Sequence, residues 1–224
     1  MPTYTLILLR HGESTGNANG LYQGQADFPL SEKGQEQARL LAEYWRNQQV
    51  HFDLAIASPL LRASQTAEIV TAALGVPLEL EPDWMERNNG RMNGLGLAEV
   101  QKYAPLGKFT SVYDPIGETG ESQWELYLRA CRAVHKLMQH PPGSYLVVSH
   151  GGLLNMAIYA ILGLTPQPNF HGPRFRFRNT AYASFTYYPS EHVWRVLGVN
   201  DYPHLPYDPE EPEIDWTKLR DQQE

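Results

Sequence analysis

A three-layer α/β/α fold with a mostly parallel central sheet is what this 224-residue sequence predicts, and three observations carry the expectation. Short apolar runs of strand length alternate with segments of helical periodicity. Two of those runs end abruptly in polar residues, as strands do where a parallel sheet meets a ligand. Apolar residues make up 42% of the chain and charged residues 19%, a composition that excludes a disordered or fibrous protein.

Residues 3–9 (TYTLILL) read as a buried first strand that stops at Arg10-His11-Gly12-Glu13. Ser31 is placed to cap a helix whose Ala38, Leu41, Ala42 and Trp45 share one face. Residues 54–58 form the second strand and residues 61–74 the second helix. A short third strand, residues 78–80, follows the turn Gly75-Val76-Pro77. From about residue 84 to 121 the periodicity fades among glycines and prolines, which marks an insertion. Regular pattern returns with a helix at residues 122–140, carrying Leu126, Ala130, Val134 and Leu137 on one face. A strand at 145–149 and a helix at 153–162 come next. Three β-like runs, 174–178, 182–187 and 193–199, complete the body. The length predicts one domain over residues 1–207 and an acidic tail over 208–224.

The net charge of −7 is uneven: residues 208–224 carry seven acidic and two basic side chains, which leaves the body near −2. Such a body has no broad positive field, so nucleic acid is not an expected partner, and an anionic ligand must be held by a local arginine cluster. No stretch of about 18 uncharged apolar residues occurs, so neither a membrane span nor a membrane partner is expected. The single cysteine, Cys131, can form neither an internal disulfide nor a cysteine zinc site, and points to the cytoplasm. His135 and His140 are five apart and fall on different helix faces, so no metal is expected there. His51, His171, His192 and His204 read as surface or hydrogen-bonded residues.

Chemistry concentrates at strand ends. LILLRHGE and YLVVSHGG each finish in histidine followed by glycine, and a parallel sheet would bring His11 and His150 to one edge. Ser58-Pro59-Leu60-Leu61-Arg62-Ala63 follows another strand and brings Arg62 to the same edge. Arg10 and Arg62 there present planar donor forks suited to a phosphoryl group. Glu86-Arg87 opens the insertion, where a carboxyl can reach the pocket as an acid. Tyr22, Arg87, Arg91, Lys108 and Tyr113 lie in segments expected to border it. Arg174, Arg176 and Arg178 alternate with Phe175 and Phe177, and a strand would set the three guanidinium groups on one face, either solvated or as a second anion site.

Together these residues carry a resemblance. Leu9-Arg10-His11-Gly12-Glu13-Ser14 with Asn17, then Leu30-Ser31-Glu32-Lys33-Gly34, Ser58 to Ala63, Gln65-Thr66-Ala67, Glu86-Arg87 and Ser149-His150-Gly151-Gly152 resemble, in order and spacing, the histidine phosphatase superfamily and its phosphoglycerate mutase-like fold. Asn200-Asp201 with His204-Leu205 is similar to a short C-terminal signature of many members. The resemblance implies that His11 is a nucleophile that becomes phosphohistidine, that Arg10, Arg62 and His150 hold the phosphoryl group, and that Glu86 donates a proton to the leaving oxygen. Asn17, Tyr22, Gln23, Gly24 and Gly151 are implied as further substrate contacts, with no metal or cofactor required. Neutral imidazole, ordinarily near a pKa of about 6.5, is a competent nucleophile at neutral pH.

A metal-independent phosphomonoesterase acting on a small-molecule phosphate ester is therefore the expected function. A homodimer stays open. Two alternatives stand beside it: a cofactor-dependent phosphoglycerate mutase and an inactive binding protein on the same fold. The resemblance places a mutase's second basic cluster in the insertion, yet residues 98–121 hold Lys102, Lys108 and Tyr113-Asp114-Pro115 and no arginine.

Overall fold

The computed structural model describes residues 2–103 and 109–206, so Lys108 and the acidic tail from Asp208 lie outside the described residues. The chain runs β1 (Tyr4–Arg10), α1 (Thr15–Ala18), β2 (Leu21–Tyr22), α2 (Glu32–Asn47), β3 (Leu54–Ala57), α3 (Leu61–Leu74) and β4 (Leu78–Leu80). It continues with β5 (Leu95–Gly96), α4 (Leu97–Val100), α5 (Gln123–Leu137), β6 (Ser144–Ser149), α6 (Gly151–Leu162), β7 (Tyr182–Tyr188) and β8 (Val193–Asp201). One six-stranded sheet has the order β4-β3-β6-β1-β7-β8. Its first four strands are mutually parallel, and β7 and β8 are antiparallel additions on the free edge of β1.

Strands β1 and β6 are apolar through their middles, Leu6–Leu9 and Tyr145–Val148, because helices cover both sheet faces. Leu6, Leu8, Tyr145 and Val147 point toward Leu126, Ala130 and Leu137 of α5 and Leu153, Leu154 and Ala157 of α6. Leu9, Leu146 and Val148 point the other way, toward Leu41 and Trp45 of α2 and Ala63, Ala67 and Val70 of α3. Each fully buried leucine contributes roughly 1.5–3 kcal/mol from removal of apolar surface from water, so the two half-cores fix the register of the central strands. Helix ends follow local chemistry. Ser31 Oγ accepts from Gly34 N at the start of α2, Ser122 and Glu125 form a reciprocal capping box on α5, and α3 and α6 stop at left-handed Gly75 and Gly163. Among the described residues no helix is long and apolar enough to cross a membrane.

Two expectations are corrected. Residues 174–178 are not a strand: Asn155 Oδ1 accepts from Phe175 N, Asn155 Nδ2 donates to Phe175 O, and Asn200 Oδ1 accepts from Arg178 N. Side chains thus satisfy this backbone, and the three arginines do not share a strand face. The helix expected from residue 153 begins two residues earlier, at Gly151. The small β2–β5 ribbon and the four-residue α1 were not anticipated; the ribbon ties the insertion back to the segment after β1.

Candidate active site

The carboxyl ends of β1, β3 and β6 meet at one sheet edge. His11 follows β1 with its backbone clamped: its N–H donates to Ser149 O at 3.0 Å and its carbonyl accepts from Asn179 Nδ2 at 3.0 Å. The next residue must be glycine, because a Cβ on Gly12 would stand 2.6 Å from Gly34 O, where this turn packs on the first turn of α2. His11 Nδ1 lies 2.6 Å from Gly12 O. A carbonyl only accepts, so Nδ1 carries the proton and Nε2 keeps its lone pair. Burial, and then the positive charges of Arg62 and Arg10, push the His11 pKa well below its ordinary 6.5. The ring is a neutral imidazole at pH 7.

Arg62 enters from the first turn of α3 with 1% exposure and all three donor directions engaged. Nε donates to His150 Nδ1 at 3.2 Å, Nη1 to Ala26 O at 3.0 Å and Nη2 to Gly24 O at 2.7 Å. Burial lowers its pKa to about 10, with Glu86 and Asp27 opposing, so it stays charged. Arg10 is anchored by Nη1 to Phe177 O at 2.6 Å, while its buried Nε has no hydrogen-bond partner. A buried donor without an acceptor is costly.

Glu86 reaches the site from the insertion. Its carboxyl accepts from Gly152 N at 3.0 Å, Leu153 N at 3.2 Å and Arg87 N at 2.8 Å, so it sits on the first turn of α6. A methyl group on Gly152 would collide with Glu86 Oε1, which explains that glycine by close approach. Arg129 Nη2 and Gln25 Nε2 both donate to the Glu86 carbonyl and fix its backbone.

A cavity of about 300 Å³ joins Arg10, His11, Arg62 and Glu86. Tyr22, Gln23, Gly24 and Gly151 also line it, as do Arg87 and Asn89. His150 and Asn17 are not on its wall. His150 is wholly buried behind it, 5.1 Å from His11 between ring centroids; since Nδ1 accepts from Arg62, Nε2 bears the proton and donates to Ser58 Oγ at 2.8 Å. Burial and the nearby Arg62 hold its pKa well below 6.5. Asn17 Oδ1 accepts from Ser14 N and Ser14 Oγ, closing the capping box of α1. Ser58, Asn89 and Asn179 were not singled out from sequence, although Ser58 stands in the quoted Ser-Pro-Leu-Leu-Arg segment. Arg91 and Tyr113 do not line the cavity either. Among the described residues no group of three or more histidines, cysteines or carboxylates is placed to hold a metal.

Buried neutral histidines make stability depend on pH. His204, whose Nε2 lies 2.9 Å from Thr180 Oγ1, is lowered by burial to about 4, alongside His11 and His150. Each binds its proton more tightly in the unfolded chain. Their contribution is therefore present above about pH 6.5 and is lost as pH falls toward the folded values. Thermal unfolding midpoints should decline steadily between pH 7 and pH 4, and His204→Gln should make that decline shallower from about pH 6.5 down to about pH 4. A midpoint constant over this range would contradict the neutral buried state.

Known proteins match this chain in sequence and in fold. Residues 6–202 match the model of the histidine phosphatase superfamily (branch 1). The chain is 35% identical over 207 residues to the "Probable phosphoglycerate mutase GpmB" of Enterobacter sp. (strain 638), covering 89% of this chain and 94% of the relative. It is 31% identical over 201 residues to the "Uncharacterized phosphatase PhoE" of Bacillus subtilis (strain 168), covering 89% and 96%. The solved alpha-ribazole phosphatase of Shigella flexneri superposes with a TM-score of 0.72 at 26% identity, covering 88% of this chain and 96% of that one.

Proposed function

The chain belongs to the histidine phosphatase superfamily, an enzyme of its phosphatase kind, and on that premise we infer that it hydrolyses phosphomonoesters through a phosphohistidine on His11. The observation that carries this reading is a neutral His11 ring, with Nε2 unprotonated, on a cavity that it shares with the guanidinium-bearing Arg10 and Arg62. Nε2 attacks phosphorus, the P–O bond to the leaving group breaks, and Glu86 gives its proton to the departing oxygen. Three backbone N–H groups then stabilise the carboxylate left behind. Water next attacks phosphorus, its proton returns to Glu86, and phosphate leaves with His11 restored. Arg10 and Arg62 balance charge on the equatorial oxygens, work that a metal performs elsewhere. His150 supports the reaction through Arg62, whose Nε it accepts.

Glu86→Gln should lower kcat/KM for an alkyl phosphate by about 10²–10⁴-fold and barely affect p-nitrophenyl phosphate, whose leaving group needs no proton. Equal losses on both substrates would remove Glu86 from the donor role. EDTA should leave wild-type rates unchanged, and vanadate should inhibit.

A mutase is the second reading, favoured by Arg174 and Arg176 beside the neighbouring cavity and by the names of relatives such as that in Enterobacter. The hydrolase is preferred because residues 98–121 contain no arginine to hold a second phosphoryl group. The deciding experiment supplies 3-phosphoglycerate with a catalytic amount of 2,3-bisphosphoglycerate. Release of inorganic phosphate supports hydrolysis; efficient formation of 2-phosphoglycerate with little free phosphate overturns it.

A further inference from the structure

Glu86 lies in a stretch, residues 85–89, that belongs to no helix or strand. Its backbone groups must therefore find side-chain partners. Arg129, on α5, supplies most of them. Nη1 donates to Asp83 O at 3.0 Å and to Met85 O at 2.6 Å, and Nη2 donates to Glu86 O at 3.1 Å. The remaining N–H directions, one on Nε and one on Nη2, go to the Glu121 carboxylate at 2.7 Å each. All five donors of the guanidinium are thus used, and three of them end on the backbone that carries Glu86.

Glu121 grips the same loop two residues further on. Its Oε2 accepts from Asn88 N at 2.8 Å, and its own N–H donates to Asn88 O at 2.8 Å. Both side chains are withdrawn from solvent, Arg129 to 11% exposure and Glu121 to 20%. A two-pronged, charge-assisted pair in that setting holds its geometry better than a surface ion pair does. Neither residue lines the phosphate cavity. The backbone hold matters most at one point of the cycle. A Glu86 carboxylate is gripped by the N–H groups of Gly152, Leu153 and Arg87, whereas a protonated carboxyl accepts from them more weakly. Glu86 is protonated when it must face the leaving oxygen.

We propose that Arg129, locked by Glu121, is a positioning residue for proton transfer: it holds the Glu86 backbone so that the protonated carboxyl stays within reach of the leaving oxygen. This rests on the hydrolase reading above, with Glu86 as donor, and deepens it. No bond to Arg129 forms or breaks, and it keeps its proton throughout. Displacing a reacting group by about 1 Å can cost about 10²-fold in rate, so a loosened loop is felt in the chemistry. Arg132, also on α5, offers the contrast. It pairs with the Asp83 carboxylate at 2.6 Å and is 57% exposed, so it holds the side chain of this segment and none of the three carbonyls.

The test uses phenyl phosphate and p-nitrophenyl phosphate, esters of similar size whose leaving oxygens differ in their need for a proton. Arg129→Lys keeps a charge for Glu121 but cannot reach three carbonyls at once. It should lower kcat for phenyl phosphate by about tenfold or more and that for p-nitrophenyl phosphate by less than about threefold, with little change in either KM. Glu121→Gln, which loosens the same lock from its other end, should give the same split and answers the question if Arg129→Lys folds poorly. In a Glu86→Gln background Arg129→Lys should cost nothing further on phenyl phosphate, because it acts only through Glu86. Arg132→Met should lower the thermal midpoint and leave the ratio of the two rates alone. No loss on either ester, equal losses on both, a loss that persists in the Glu86→Gln background, or the same split from Arg132→Met overturns the positioning role. If Glu86→Gln itself lowers both rates equally, the donor reading falls, and the positioning role with it.

Discussion

Replacement of His11 by alanine is expected to abolish turnover of every phosphate ester, with a loss of at least about 10⁴-fold in kcat. The expectation follows from the absence of any substitute: His150, the nearest other imidazole, has Nδ1 occupied by Arg62 and its Nε2 proton directed at Ser58. The variant should retain a cooperative thermal transition, because the clamps on residue 11 are backbone contacts from Ser149 and Asn179. Comparison of kcat with the unfolding midpoint separates lost chemistry from lost structure. A variant that folds and turns over at a rate near wild type would remove His11 from the mechanism.

Arg62→Lys is expected to cost nearly as much although it conserves charge. The guanidinium spans Gly24 O, Ala26 O and His150 Nδ1 with three separate N–H directions, and a single ammonium on a flexible stem cannot. Two carbonyls and a ring nitrogen would compete for one group, and the loop carrying Gln23 and Gly24 would be left with fewer hydrogen bonds to α3, among them that of Leu61 N to Asp27 Oδ1. A fall of roughly 10²–10³-fold in kcat/KM should accompany a loss of about 1–3 kcal/mol in stability, read from urea unfolding. Wild-type activity in this variant would mean that only net charge matters at this position.

The sheet and its covering helices were legible because their signals are local. Helix α3 spans Leu61–Leu74, the residues its periodicity marks, and the apolar runs of β1 and β6 reflect burial on both faces. The run at 174–178 shows where that logic fails. Its Arg-Phe alternation has the period of a strand, but a strand also needs a free neighbouring edge. The edge of β1 is taken by β7, and Asn155 and Asn200 supply the hydrogen bonds instead. Helix α6 begins early for a similarly distant reason: Glu86, far away in the chain, satisfies the N–H groups of its first turn.

Site residues divide in the same way. The motif order brought Arg10, His11, Arg62 and Glu86 to one cavity. Which partner each side chain would choose was not readable, since that depends on packing between elements. His150 lies behind the cavity because Ser58 and Arg62 hold both ring nitrogens. Asn17 caps α1, a role that the Ser14-x-x-Asn17 spacing did carry in local form.

The most direct measurement is to mix the enzyme with substrate carrying a radiolabelled phosphoryl group, quench in alkali within a single turnover, and map the label by peptide digestion. The account predicts an alkali-stable, acid-labile phosphoryl group on the peptide that contains His11, formed and lost at rates compatible with kcat. Rapid phosphate release with no label on His11 at any time, or label on another residue, would contradict it.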